Sequence, residues 1–127
     1  MPPPAPSTLD PITVDLEASV CGAILFAAAL DLEAGHRVVD RVVATGLLPG
    51  HFWRQSLGRL YGVLVAERDL GHPVDALSIS YVLERGHADP HMRGRLEELA
   101  HTCPAFTLAE HWARLICREA RHRTVAR

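Results

Sequence analysis

Lysine is absent from this sequence of 127 residues, and all 13 of its basic residues are arginine. A P-loop requires a lysine that reaches the nucleotide phosphates, so the chain cannot hold a self-contained P-loop ATPase site. Schiff-base catalysis is excluded for the same reason, because it needs a lysine amine. On its own, therefore, the chain is not predicted to be an enzyme driven by ATP.

Cysteine is scarce and poorly spaced for a structural role. The three cysteines, Cys21, Cys103 and Cys117, are odd in number, and no two of them have Cys-x-x-Cys spacing. This pattern favours neither a disulfide framework nor a zinc site, and no cofactor is predicted. The N-terminus also lacks a basic segment followed by an apolar one, so no signal peptide is predicted. The expected location is the cytoplasm.

Neither an excess of one charge nor a long apolar run is present. The formal net charge is −2, so the composition points neither to nucleic acid nor to a membrane surface. The most apolar stretch, residues 20–30, is shorter than the ~20 residues that span a bilayer. A chain of this length is predicted to form one domain with its own core.

The chain is organised around the segment Asp15–Leu30, which is predicted to be a central core helix. Its apolar residues recur at steps of three and four, and most other positions after Ser19 are also apolar. Asp15 stands where an N-cap is expected. Gly22 costs about 1 kcal/mol of helix propensity, which indicates that a neighbouring element packs closely against the backbone there.

The rest of the chain is also predicted to be helical, because no segment alternates apolar and polar residues for long. Prolines predict a flexible arm over residues 1–14, and residues 15–127 are predicted to form the helical domain. Gly46 and Gly71 are placed to end helices, and Asp75 is placed to begin one. The predicted fold class is all-α, a compact bundle of about six helices.

A proline and two aromatic residues precede the longest predicted helix. Pro49 is expected to start a short turn, and Phe52 and Trp53 are expected to fill the core behind it. Gly58 and Gly62 are four residues apart on the helix that follows, a spacing that permits close contact with another helix. Arginines and a glutamate in the same segment exclude a membrane helix pair.

The last part of the domain is predicted to be a helical hairpin over about residues 92–123. Its first arm ends near Ala100, and Thr107 with Glu110 has the pattern of a capping box that opens the second arm. The apolar face of the two arms has no evident partner within the chain. An exposed apolar face of this kind indicates an interaction surface.

Eight histidines make metal-assisted hydrolysis one alternative function. No His-Glu-x-x-His motif occurs, however, and the closest match to ligand spacing is His87 with His91. Pro90 interrupts the helix that would place these two on one face. No Ser-His-Asp or Cys-His pair can be placed from spacing, so no catalytic or metal residue is predicted.

A second alternative, a DNA-binding or regulatory module, rests on arginines near the C-terminus. Between residues 114 and 127 only Glu119 opposes them, and such a stripe suits phosphates or an acidic partner. A solvated helix face explains the same pattern, because cations are favoured near a helix C-terminus and stacking aromatics are missing. The candidate contacts are Arg114, Arg118, Arg121 and Arg123.

Four motifs in their order resemble the N-terminal domain of DnaB-type replicative DNA helicases. The family's Glu-Ala, followed by Val-Leu-Gly-Ala-Leu-Leu, is similar to Glu17-Ala-Ser-Val-Cys-Gly-Ala-Ile-Leu25. Its Leu-x-Pro-x-x-Phe-Tyr-Arg resembles Leu48-Pro-Gly-His-Phe-Trp-Arg54. Its Gly-x-Pro-Val-Asp is repeated at Gly71-His-Pro-Val-Asp75, and its closing Ala-Glu-His-Tyr-Ala-Arg-Ile-Val-Arg-Glu resembles Ala109-Glu-His-Trp-Ala-Arg-Leu-Ile-Cys-Arg-Glu119.

This resemblance implies a scaffold in the primosome rather than an enzyme. The family's domains are helical globules with a protruding helical hairpin, and they belong to ATP-dependent DNA helicases. They pair through the hairpin into a ring collar that recruits primase. The resemblance therefore implies a homo-oligomer, a dimer through the hairpin, that binds primase or a replicative helicase. The implied interface residues are Leu96, Leu99, Phe106, Trp112, Leu115 and Ile116.

The sequence also departs from the family. The usual Gly-Gly-x-x-Tyr-Leu before the hairpin is replaced by His87-Ala-Asp-Pro-His-Met92, and no linker or RecA-like motor is present. The start at Met1 with a proline-rich arm favours a free-standing relative over a fragment of a longer helicase. Helicase activity of the chain alone is not expected in either case.

Overall fold

A computed structural model of the chain describes residues 11–86, 91–103 and 105–126. These residues form six α-helices and no strand, which confirms the predicted all-α fold. The described residues also include two 3-10 turns, Pro49–His51 and Phe106–Leu108. The helices are α1 (Pro11–Leu30), α2 (Leu32–Ala44), α3 (Gln55–Asp69), α4 (Ala76–Gly86), α5 (Met92–Thr102) and α6 (Ala109–Ala126).

Helix α1 is the centre of the bundle, as predicted. Helices α2, α5 and α6 all pack along it, and α3 touches it as well. Val20 and Ile24 are fully buried on one side and Cys21 on another, because neighbours surround most of the helix. The helix begins at Pro11, where proline is tolerated. Asp15 therefore lies inside the helix, and its predicted role as the N-cap is wrong.

Gly22 marks a place where α5 approaches the backbone of α1 closely. A Cβ atom added at Gly22 would lie 2.4 Å from the carbonyl oxygen of Leu99 and 3.5 Å from Cβ of Cys103. The close approach predicted from this glycine is confirmed, and the approaching element is α5. Because a main-chain atom blocks the site, a side-chain rotation cannot relieve the clash.

We expect Gly22→Ala to lower the free energy of unfolding by about 1–3 kcal/mol, since α1 and α5 must move apart. Gly94→Ala is the matched control. Gly94 lies on α5, the helix that faces Gly22, but a Cβ added at Gly94 meets nothing within 4 Å. Alanine there should stabilise the chain by about 0.5–1 kcal/mol through helix propensity. Urea titrations followed by circular dichroism compare the two variants. Equal stabilisation by both would contradict the close packing.

Helix ends follow the predicted signals in the middle of the chain. Gly46 and Gly71 lie just beyond α2 and α3 with φ angles of 92° and 78°, in the left-handed region that favours glycine. The N–H of Ser78 donates to the Asp75 carboxyl at 3.3 Å. Asp75 is thus the N-cap of α4, as predicted.

The 3-10 turn Pro49–His51 lies against the start of α3. A Cβ added at Gly58 would be 2.6 Å from the carbonyl oxygen of Pro49, so the close contact predicted for this glycine is made with the turn and not with a helix. Phe52 is buried and stacks on Tyr61 with ring centroids 5.3 Å apart. Trp53, which was also predicted to fill the core, is instead 45% exposed.

Helices α5 and α6 both pack on α1. Their arrangement as a protruding hairpin, which the resemblance implies, stays a prediction. Thr107 lies inside the second 3-10 turn, two residues before the first residue of α6, and Glu110 pairs with Arg114 instead. The predicted capping box is therefore wrong.

Two predictions from the sequence concern residues that the structure does not describe. The loop at residues 87–90 and most of the N-terminal arm lie outside the described residues. Within the residues that the structure describes, no helix is both long and apolar enough to cross a membrane.

Candidate functional site

The predicted interface face of α5 and α6 is turned largely toward the core. Leu96, Trp112 and Ile116 are 2%, 8% and 0% exposed, because these helices cover α1 with their apolar sides. The expectation that this face lacks a partner within the chain is therefore wrong. A role in an interface stays a prediction for the three half-buried members, Leu99, Phe106 and Leu115.

Two of the four candidate arginines on α6 have partners within the chain. Arg114 pairs with Glu110 one turn earlier. The guanidinium group of Arg123 donates to the carbonyl oxygen of His51 at 2.5 Å and lies 5.3 Å from the ring centroid of Trp53, a cation–π geometry. Arg118 and Arg121 remain exposed, so the arginine stripe is shorter than predicted.

Trp53 and Arg54 are held by a buried carboxyl group that the sequence analysis passed over. Glu17 is fully buried in α1, and its two oxygens accept the backbone N–H groups of Trp53 at 2.6 Å and Arg54 at 3.2 Å. This link fixes the start of α3 to α1. A carboxylate among the apolar residues of a core helix was the available signal, since a buried acid requires a partner.

An enzymatic site does not assemble from the histidines and cysteines of the described residues. No group of three potential metal ligands occurs there, and His87 lies outside them. Cys117 Sγ is 3.9 Å from Nδ1 of His51, but that nitrogen accepts the N–H of Leu48 at 3.0 Å. It is therefore poorly placed to take the thiol proton as a base.

The other two cysteines are not activated nucleophiles. Burial raises the pKa of the Cys21 thiol far above its usual value, and the nearby Glu17 carboxyl adds to the effect. Partial burial also raises the pKa of Cys103. Since the thiolate is the reactive form, these surroundings suit structural thiols. All three cysteines are free.

A groove lies between the start of α3 and the side of α5. It encloses about 570 Å³, is open to solvent, and has an apolar floor with arginines at its rim. Helix α3 packs on α2 and the first 3-10 turn, whereas α5 packs on α1 and α4, which leaves the gap between them. The lining residues are Arg54, Ser56, Leu57, Arg59, Leu60, Leu83, Met92, Arg95, Leu96, Glu98 and Leu99.

Charge and burial make this groove, which we call the α3–α5 groove, the best candidate binding surface. Leu57, Leu60 and Leu96 on its floor are less than 9% exposed, whereas the side chains of Arg54 and Arg59 are exposed. Three arginines face one glutamate around it, although the chain as a whole carries a net charge of −2. An apolar floor with a cationic rim suits an apolar segment that carries carboxylates.

The arrangement of the six helices has a counterpart among solved structures. The crystal structure of the N-terminal domain of DnaB helicase from Mycobacterium tuberculosis superposes with a TM-score of 0.74 over 89% of this chain and 77% of that chain. The chain has the fold of a DnaB helicase N-terminal domain. Sequence identity is 23%, and neither the protein-family models nor the curated proteins gave a match.

The match to the DnaB N-terminal domain confirms the resemblance seen in the four sequence motifs. The match covers 89% of this chain. About a quarter of the DnaB chain has no counterpart in the sequence printed here, since the match spans 77% of it. The shared fold does not by itself assign a function, because one fold can carry different sites.

Proposed function

We propose that this chain is a non-enzymatic interaction module of the DNA replication machinery that binds a replicative helicase or its primase. The observation that carries the proposal is the fold, which matches the N-terminal domain of a helicase over 89% of this chain. The absence of lysine agrees with this proposal, because a sequence without lysine holds no self-contained P-loop ATPase site.

Binding of purified partners tests this proposal directly. The chain is immobilised, and the replicative helicase and the primase of the same organism are passed over it separately at several salt concentrations. We expect saturable binding of at least one of them. Loss of binding in Arg59→Glu but not in Arg118→Glu would place the contact at the α3–α5 groove. Absence of binding to both proteins would contradict the proposal.

A DNA-binding module remains the second candidate, because Arg118 and Arg121 are exposed three residues apart on α6. Binding through phosphates should weaken steeply as salt rises, whereas contact between apolar surfaces should not. Labelled single-stranded and duplex oligonucleotides, titrated at low and moderate salt, separate the two. We expect no difference between the wild type and the double variant Arg118→Glu/Arg121→Glu. A salt-sensitive affinity that this variant loses would favour DNA.

A further inference from the structure

The connection between α1 and α2 carries apolar side chains that nothing in the described chain covers. Leu30 is 64% exposed and Leu32 is 48% exposed. Asp31 and Glu33 stand beside them, and Arg37 approaches both carboxylates only at 3.9 and 3.7 Å. We call residues 30–33 the acidic turn. Leu30 and Leu32, flanked by two carboxylates, form a small exposed apolar patch with an acidic rim.

The acidic turn and the α3–α5 groove have complementary chemistry. The turn presents two leucines and two carboxylates opposed by one guanidinium group. The groove presents a leucine-lined floor and a rim of three arginines against one glutamate. A leucine placed on that floor would bring neighbouring carboxylates to the rim, where Arg59 and Arg54 are exposed. Opposite charges at a rim set specificity and increase the rate of association.

The acidic turn lies at the C-terminal end of α1, whereas the groove lies beside the N-terminal and middle parts of that helix, so one chain cannot join them. The groove edge at Arg54 is held beside Glu17 by the hydrogen bond of its backbone N–H. Leu30 is 30 − 17 = 13 residues further along the same helix, a rise of ~20 Å. Since α1 is a continuous helix from Pro11 to Leu30, the turn cannot fold back into its own groove.

We propose that the acidic turn of one copy of this chain docks in the α3–α5 groove of a second copy. The contact joins two different surfaces, so each copy keeps one free turn or one free groove for the next copy. Such head-to-tail contacts build a ring if the rotation closes and a row of copies if it does not. A four-residue turn buries little area, so the contact is weak and reversible at each step.

This inference rests on the proposed role as an interaction module, and it names the surface and the partner through which copies of the chain meet. It differs from the hairpin interface implied by the resemblance. That interface would pair like surfaces, whereas the turn and the groove are unlike. The difference can be measured, because only unlike surfaces allow two defective variants to complement each other.

The test uses the full chain and variants of exposed residues only, so that folding is preserved. The turn variant is Leu30→Ser/Leu32→Ser, and the groove variant is Arg54→Glu/Arg59→Glu. Leu70→Ser and Arg118→Glu are the matched controls, because Leu70 is 66% exposed and Arg118 is exposed on α6, both outside the proposed contact. Circular dichroism verifies that each variant is folded, and sedimentation velocity gives the mass over a concentration series.

We expect the mass of the wild type and of both controls to rise with concentration. The turn and groove variants should each remain monomeric where the wild type associates, with affinity reduced about tenfold or more. Mixing the two variants should yield a species of two chains and nothing larger, since one intact turn meets one intact groove. Added salt should weaken association of the wild type in part, because the rim is charged and the floor is not.

Three outcomes overturn the inference: a wild type that stays monomeric at every concentration, variants that associate like the wild type, or a mixture of the two variants that stays monomeric. Each leaves the proposed function to be judged separately by binding of helicase or primase. If the wild type binds one of those partners but the turn and groove variants associate like the wild type, only the head-to-tail contact is wrong. If the wild type binds neither partner, the proposed function is wrong as well.

Discussion

Glu17→Ala should lower the free energy of unfolding by about 2–5 kcal/mol, a large part of the 5–15 kcal/mol typical of a domain. The loss follows because the backbone N–H groups of Trp53 and Arg54, which now donate to Glu17 at 2.6 and 3.2 Å, would have no acceptor. An unpaired donor costs about 1–3 kcal/mol when it is buried, and these two hydrogen bonds are partly buried. Urea denaturation followed by circular dichroism measures the difference.

The matched control for this change is Glu33→Ala. Glu33 is also a glutamate on a helix, but its side chain is 84% exposed and its ion pair with Arg37 is long, at 3.7 Å. Its removal should change stability by no more than about 0.5 kcal/mol. Amide resonances of Trp53 and Arg54 should move in Glu17→Ala only. Equal unfolding midpoints for the two variants would show that the buried link does not stabilise the fold.

Trp112→Ala should cost about 3–5 kcal/mol of stability, as is usual for a large aromatic side chain removed from a core. Trp112 is 8% exposed and belongs to the cluster around α1, although the sequence suggested an interface residue. Its replacement should therefore lower the unfolding midpoint of the monomer itself. Thermal or urea unfolding at a concentration where the chain is monomeric measures this effect.

His111→Ala is the control, since His111 is the preceding residue on α6 and is exposed. It should leave stability within about 0.5 kcal/mol of the wild type. If Trp112→Ala instead left monomer stability unchanged and abolished association, Trp112 would belong to an interface. For the same reason, loss of a dimer in a Trp112→Glu variant would not by itself identify an interface, because the monomer would be unfolding.

The parts of the fold that the sequence predicted are those that depend on local chemistry. The positions at which α2, α3 and α4 begin or end follow from Gly46, Gly71 and Asp75, whose backbone angles or hydrogen bonds act within a few residues. Gly22 indicated a close contact because a glycine inside a core helix is costly without one. The four motifs then indicated the fold, which the match to the DnaB helicase N-terminal domain confirms.

The errors concern contacts between residues that are distant in the sequence. Periodicity showed that α5 and α6 each have an apolar face. The same spacing of apolar residues occurs in a face that packs on α1 and in a face that binds another molecule. The arginine stripe failed in part for a similar reason, since Arg123 is bound to His51, 72 residues away. A charge pattern along one helix does not reveal such a partner.

The sequence by itself therefore determined that this protein is an all-α domain with α1 at its centre, that it has no P-loop, and where several of its helices begin and end. These properties depend on residue type and on spacing within one or two helical turns. Only the tertiary structure decided that Glu17 holds the start of α3, that the face of Trp112 is covered, and that a groove with a cationic rim opens between α3 and α5. Those features depend on how helices far apart in the chain pack together, because burial and electrostatic surroundings belong to the assembled bundle and to no single segment.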